Sequence, residues 1–449
     1  IHPSLRAMRL SIAAATLSAL LGLGRAACAS AGAQCGDMLS TLQISQEKHH
    51  QHREDHKHHN ATESDEVHVV FTVGCSPYQQ WQVELLFMSA QHVDQRGPIT
   101  AIISGCSRER EWHIRARIAA LSLPPQYEPH FVPELNDNRS HVINKPYGVH
   151  SWFRTAGPQR DVVAVIDPDF LFVKPLTAKI DGAPAVQGWG ATPPTRVQKG
   201  VIVSQRWRLM GNNPRSEQLW YPDWDGSPNM TDAQLLTWVC SGSATGKSGC
   251  SGVTKREIAV SHATGVPYIA HKDDWDEWLV DAWRDIAERL HTVYSGYFVD
   301  MLAWVLAPLH HGYKEVVVNN LQFFHHSNYE PWYAVDELDV DPCNDPMHKV
   351  LANPHLAYFI HYCHHDDSWN KHWFETAEDG PNVFERCDAT AADQRLSAFL
   401  TSSVNETKSS TPKVNKRKTF AFCVTRRMFA AALRRACANH PVAELFGGV

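Results

Sequence analysis

The run DVVAVIDPD, Asp161 to Asp169, decides how this chain is read. Asp161–Ile166 is a continuous apolar strand of the kind found inside a parallel sheet, where both faces are buried. Asp167-Pro168-Asp169 follows at once, at the carboxyl end of that strand, where open α/β folds place their ligands. Two carboxylates one residue apart at a strand end can share one hard divalent cation. Magnesium or manganese takes oxygen ligands there and keeps positions open for phosphates. A solvated turn is the bland alternative, because Asp-x-Asp is common in loops.

Outward from that strand, the same texture repeats. Val67–Val73 (VHVVFTV) and Ile99–Ser104 (ITAIIS) read as buried strands. Between them Trp81, Leu85 and Met88 recur at helical spacing within Tyr78–His92, which completes a strand–helix–strand unit. Lys145–Thr155 reads as a helix leading into the acidic strand, and Ala185–Gly188 and Gly265–Ala270 as shorter strands. Asp273 or Asp274 is placed to cap a helix running towards Leu290, with Trp278, Ala282, Ile286 and Leu290 on one face. Gly296–Leu309 reads as a second helix, with Gly312 as its terminator. After Phe359–Tyr362 the chain turns polar.

Three further residues carry candidate chemistry. His361 is a polar residue inside an apolar run, so it is either a third metal ligand or a satisfied core histidine. Asp300 lies in the middle of the second helix, among Tyr297, Phe298, Met301 and Trp304, which implies a buried polar contact, structural or aimed at a sugar hydroxyl. Lys145 opens a helix beside Asn144 and Pro146 and either meets a phosphate or is a surface charge. The pairs His310/His311, His325/His326 and His364/His365 read as surface or loop residues.

Bulk properties bound the class. Hydrophobic residues make up 43% and charged residues 20% of 449 residues, which is enough for a sizeable core. A formal net charge of −6 argues against a nucleic-acid partner. Fifteen Trp residues fit either carbohydrate contact or ordinary core packing. Arg6 and Arg9 precede the apolar run Leu10–Leu23 and the small-residue stretch Ala26–Ala33, the order of a secretory signal. Residues 1–33 are therefore expected to be a signal peptide or, in the second reading, a short signal anchor in a membrane. Sequons at Asn60, Asn138, Asn229 and Asn405 and eleven cysteines fit an oxidising lumen. Cys75 and Cys106 each follow a strand and can meet if those strands are neighbours; Cys240 and Cys250 bracket a Gly/Ser-rich loop. Seven cysteines between Cys75 and Cys387 leave one free or paired with Cys35, Cys423 or Cys437. Residues 34–66 read as a His-rich stem, 67–390 as the folded domain, and 391–449 as a polar, basic tail that is either an appended helix or disordered.

These pieces together resemble the plant and green-algal peptidyl glycosyltransferases of hydroxyproline-rich wall proteins, over roughly His68 to Phe374. Gly97-Pro-Ile-Thr100 with Ser104-Gly-Cys106, and Ile143-Asn-Lys-Pro146 with Gly148 and Trp152, are similar to the peptidyl-serine α-galactosyltransferase branch. Phe359-Ile-His-Tyr362 is similar to the hydroxyproline O-arabinosyltransferase branch. Tyr294–Gly312 resembles a helical segment of both, with Asp300-Met301 where Glu-Met is usual. Asp167-Pro-Asp169 combines the middle Pro of one branch with the first Asp of the other. The resemblance implies a GT-A-like α/β fold with a central, mostly parallel sheet flanked by helices. It implies a UDP-sugar donor, a hydroxyproline- or serine-containing acceptor and retention of anomeric configuration. It also implies Mn2+ or Mg2+ on Asp167, Asp169 and His361, uridine near Thr72, Cys75 and Tyr78, and Asp300 as a nucleophile or donor-orienting group. The competing readings are a retaining transferase that extends existing glycans, and a catalytically silent sugar- or protein-binding module.

Overall fold

The structure, a computed structural model, describes residues 64–134, 141–185, 190–207, 232–239, 264–293, 299–313, 315–324, 331–362, 382–387 and 411–437. Its frame is a seven-stranded sheet. The strands are β1 (Val67–Gly74), β2 (Ile99–Ser104), β3 (Tyr127–Val132), β4 (Val162–Ile166), β8 (Ile202–Arg206), β9 (Thr264–His271) and β10 (Glu315–Val318), in the order β10-β8-β9-β4-β1-β2-β3. The numbering leaves room for β5 (Phe170–Phe172) and two short strands, β6 (Lys179–Ile180) and β7 (Thr195–Arg196), which pair apart from this sheet. Every neighbouring pair is parallel except those of β9, which runs against both β4 and β8. The α/β architecture with a mostly parallel sheet expected from the sequence is therefore what forms. β4 sits at its centre with all five residues buried, as its unbroken apolar run requires.

Helices cover both faces, and strand alternation assigns them. On β1, His68 lies against Trp152 and Thr72 lies close to Gly148, both from α3 (Asn144–Thr155). Phe71, of opposite parity, meets Phe87 of α1 (Pro77–His92). Proline in the first turn starts α1, where a missing N–H loses nothing. The Ser107 hydroxyl accepts the Arg110 N–H at the start of α2 (Arg108–Ala120), with Glu109 and Glu111 in its first turn. On the α3 face follow α4 (Val280–Val293) and α5 (Val299–His310), which pack on each other. Gly312, at φ +73°, ends α5 as expected.

The capping expectation needs correction. His271 caps the helical segment, accepting the Asp273 N–H on Nδ1. The Asp274 carboxylate is buried and accepts instead from the Gly200 N–H and the Tyr313 hydroxyl. A π turn at Trp275–Leu279 then inserts one residue per turn, so Trp275, Leu279 and Trp283 go inside while Trp278 turns out towards His311. His310 is also buried, at the end of α5, rather than on the surface. Six tryptophans are core, namely Trp81, Trp152, Trp275, Trp283, Trp304 and Trp332, all fully buried, whereas Trp112 is 72% exposed.

A second, three-stranded sheet joins β5 to β11 (Gln322–Phe323) and β12 (Phe359–His361). Over its core lies α6 (Pro412–Ala436), the one stretch of the tail that the structure describes as regular. Cys343–Cys423 and Cys387–Cys437 tie this helix down, and Cys75–Cys106 joins the ends of β1 and β2. Among the described residues, no helix is long and apolar enough to cross a membrane. The apolar N-terminal run, the His-rich stem, the four sequons, the 185–188 strand apart from Ala185, the His325/His326 and His364/His365 pairs and Cys240–Cys250 lie outside the described residues.

Candidate metal and diphosphate site

The chain builds β1, β2 and β3 to one side and then returns to place β4 on the other side of β1. That reversal is a topological switch point outside the carboxyl ends of β1 and β4, the position where open sheets receive ligands. In register, Phe71 pairs with Ile166, so Thr72 and Asp167 come next along the chain. Asp167-Pro168-Asp169 is then the link between two sheets, because β4 ends at Ile166 and β5 begins at Phe170.

The second sheet supplies the partner. Antiparallel pairing of β12 with β5 sets His361 opposite Phe170, one residue from Asp169. The Tyr362 N–H donates to the Asp169 carbonyl at 3.0 Å. His361 Nε2 lies 3.2 Å from Asp169 Oδ1 and 3.8 Å from Asp167 Oδ2. One ligand atom from each of the three residues falls within 4.8 Å of the others. Phe170 and Phe324 flank the imidazole.

His68 shows what a satisfied core histidine looks like in this protein. Its Nε2 meets Thr100 Oγ1 at 2.9 Å and its Nδ1 accepts the Gln159 N–H at 3.1 Å. Burial drives its pKa to about 3, so it stays neutral. His361 differs: its Nε2 faces two carboxylates, while Nδ1 has no hydrogen-bond partner among the described residues. Two carboxylates and an imidazole turned towards one point form a donor set that fits a divalent cation.

Lys145 enters the cluster from the first turn of α3. Its Nζ lies 2.7 Å from Asp167 Oδ1 and 2.6 Å from Asp300 Oδ2. Burial alone would pull this ammonium down, but the two carboxylates outweigh it and hold its pKa well above the ordinary value. Asp300 stands in the first turn of α5 rather than mid-helix, and its backbone carbonyl accepts from Trp283 Nε1 at 2.7 Å. Burial pushes its carboxyl up, against the pull of Lys145.

Of the uridine candidates, Tyr78 is close to the cluster: after burial, the Asp169 charge and Tyr78 are what raise the Tyr362 hydroxyl well above its usual range. Thr72 is half-buried between β1 and α3. The Cys75 sulfur is taken up by its bond to Cys106, so it offers a ligand no thiol. Tyr268 was not foreseen. It is fully buried on β9 opposite Val165, stacked on Trp304 at 4.2 Å, and it feels the charges of Lys145, Asp300 and Asp167. Its hydroxyl has no hydrogen-bond partner among the described residues. A tyrosine in an apolar strand gives no sequence signal of this placement.

No family model matches the chain. The solved galactosyltransferase LgtC, in complex with donor and acceptor sugar analogues, has a TM-score of 0.38 at 12% identity, covering 77% of this chain and 97% of that chain. The bifunctional glycosyltransferase WbbM gives a TM-score of 0.35 at 12% identity, covering 80% and 53%. Peptidyl serine alpha-galactosyltransferase of Arabidopsis thaliana is 29% identical over 112 residues, which is 24% of this chain and 14% of that protein. The match spans far less than two thirds of the relative's length, and it is to one of the two branches that the sequence motifs resemble.

Proposed function

We propose that this chain is a glycosyltransferase that moves a sugar from a UDP-linked donor to hydroxyproline or serine of a secreted hydroxyproline-rich protein, with retention. The observation that carries this reading is the Asp167–Asp169–His361 cluster at the carboxyl end of the central strand, at the point where the strand order reverses. Asp167, Asp169 and His361 would hold Mn2+ or Mg2+. Such an ion, when bound, supplies Lewis-acid neutralisation of the departing diphosphate.

The chain's own groups supply the rest. Lys145, pinned between Asp167 and Asp300, presents a fixed positive charge beside the place a diphosphate would occupy. Asp300 accepts both from Lys145 and from the Met301 N–H, so its carboxylate is committed to holding the ammonium. That commitment supports an orienting role and, with it, departure and attack on one face of the sugar. A double displacement would need Asp300 to release Lys145 first. Thr72, near the end of β1, and Tyr78, in the first turn of α1, stand on the side where the nucleoside would lie.

Three disulfides support residence in an oxidising compartment, the lumen of the endoplasmic reticulum or Golgi, reached through the N-terminal apolar segment as signal or anchor. The test is transfer by the full chain with manganese, a panel of UDP-sugars, and hydroxyproline- or serine-containing peptides. One sugar moved to one peptide class identifies donor and acceptor. UDP release without peptide modification would move the reading to glycan extension, and no release with any donor would sink the enzymatic reading.

A further inference from the structure

A buried tyrosine usually spends its hydroxyl on a neighbour. Tyr127 donates to the Gln95 carbonyl at 2.8 Å, and Tyr358 accepts the Asp181 N–H at 3.0 Å. Tyr268 is buried more completely than either, and its hydroxyl meets no hydrogen-bond partner among the described residues. Its ring stacks on Trp304 at 4.2 Å and meets Trp283 edge-on at 5.6 Å. Phenylalanine would fill that place equally well, and an unpaired buried hydroxyl lowers stability. Packing therefore does not account for the hydroxyl. Its position does. Antiparallel pairing sets Tyr268 opposite Val165, two residues before Asp167. Asp300 stands four residues before Trp304, one turn along the same face of α5. The hydroxyl lies in the field of both Lys145 and Asp300. Asp300 accepts from Lys145 and from the Met301 N–H, while a carboxylate has room for about four donors.

On the UDP-sugar reading above, on which this rests, we propose that Tyr268 is a positioning residue whose hydroxyl donates to Asp300 once a nucleoside diphosphate is bound. An ammonium has three N–H groups, and the two carboxylates take two of them. A diphosphate that engages the third draws charge away from the Lys145–Asp300 contact. The Asp300 carboxylate, buried in α5, is then short of a donor. Tyr268 supplies one from β9 without displacing the ammonium, so Lys145 keeps its place beside the diphosphate. The hydroxyl that is unpaired in the protein alone becomes paired in the complex.

The test is Tyr268→Phe in the full chain, read by thermal melting without ligand and by calorimetric titration with UDP at saturating Mn2+. The variant should melt at the wild-type temperature or above it, because the hydroxyl it loses is unpaired there. It should bind UDP about tenfold more weakly, as expected for one lost hydrogen bond to a charged group. In an Asp300→Asn background the same change should weaken UDP binding by no more than about twofold, a non-additivity expected of partners. A merely structural tyrosine gives the reverse pattern, a lower melting temperature with UDP affinity unchanged. A lower melting temperature, wild-type UDP affinity, or an equal loss in the Asp300→Asn background each overturns the assignment. A wild-type chain that binds no UDP overturns the UDP-sugar reading itself, and the two failures are distinct.

Discussion

Two buried ionic clusters in this protein serve different ends. Between α1 and α2, Arg117 donates from Nε and a terminal nitrogen to both oxygens of Glu84, at 2.7 and 2.9 Å. Asn382 Nδ2 adds a third donor at 3.2 Å, and Asn382 with Glu385 forms a capping box on the short helix Val383–Arg386. One carboxylate meets one guanidinium, and the planar fork satisfies it. The Lys145 ammonium instead meets two carboxylates, Asp167 and Asp300, and His361 faces Asp167 and Asp169. The first cluster joins two helices side by side, and the second gathers three potential cation ligands at the carboxyl end of the central strand.

The largest effect should come from the cluster at the end of the central strand. Asp167→Ala with Asp169→Ala should reduce sugar transfer by on the order of 10³-fold, with thermal stability close to the wild type. UDP release and a melting curve check both halves, and unchanged transfer would remove the metal assignment.

The Arg117–Glu84 cluster should behave in the reverse way. Arg117→Met leaves the buried Glu84 unpaired and should destabilise the fold by about 3 kcal/mol. Adding Glu84→Leu should recover most of that loss, since a well-packed apolar pair often replaces a buried ion pair without penalty. Denaturant midpoints measure both variants, and no recovery in the double would show that the brace is more than packing.

A smaller effect concerns Glu315, a buried carboxylate with no cation beside it among the described residues. It accepts from the hydroxyls of Ser204 and Thr264 and from Trp304 Nε1. Burial pushes its pKa up to about 7, against the pull of those three donors. The folded state therefore binds a proton that the unfolded chain has released, and stability from this group falls as pH rises from about 4.5 to about 7. Glu315→Gln should remove that part of the slope, raising the melting temperature at about pH 8 relative to the wild type by about 2–4 °C. An identical pH profile in the two proteins would show that the carboxylate does not titrate in this window.

The fold was legible where periodicity is local. VVAVI can only be a strand buried on both faces, and the helical spacing of Trp81, Leu85 and Met88 marks α1 directly. Asp167 and Asp169 could be read because they follow that strand without interruption. What periodicity does not carry is pairing between distant segments. His361 belongs to the site because β12 pairs with β5 in one register, and a shift by one residue would turn it to the other face. The Lys145–Asp300 contact depends on α3 and α5 meeting over the same end of the sheet. The His271 cap and the π turn were hidden because Asp273 and Asp274 are stronger capping signals in isolation. The docking of α6 was hidden for a similar reason: its Lys/Arg-rich sequence reads as solvated, while Phe420, Val424, Met428 and Phe429 pack inward.

The two bridges that hold α6 have a consequence for how the protein is made. Cys343 and Cys387 emerge from the ribosome long before their partners, Cys423 and Cys437. Until those arrive, the chain carries two unpaired thiols and the uncovered second sheet, whose last strand bears His361. Closure of both bridges thus waits for the C-terminal segment. A nascent chain interrupted before Cys423 would display reactive sulfur and apolar surface together, a pair of features that favours misassembly.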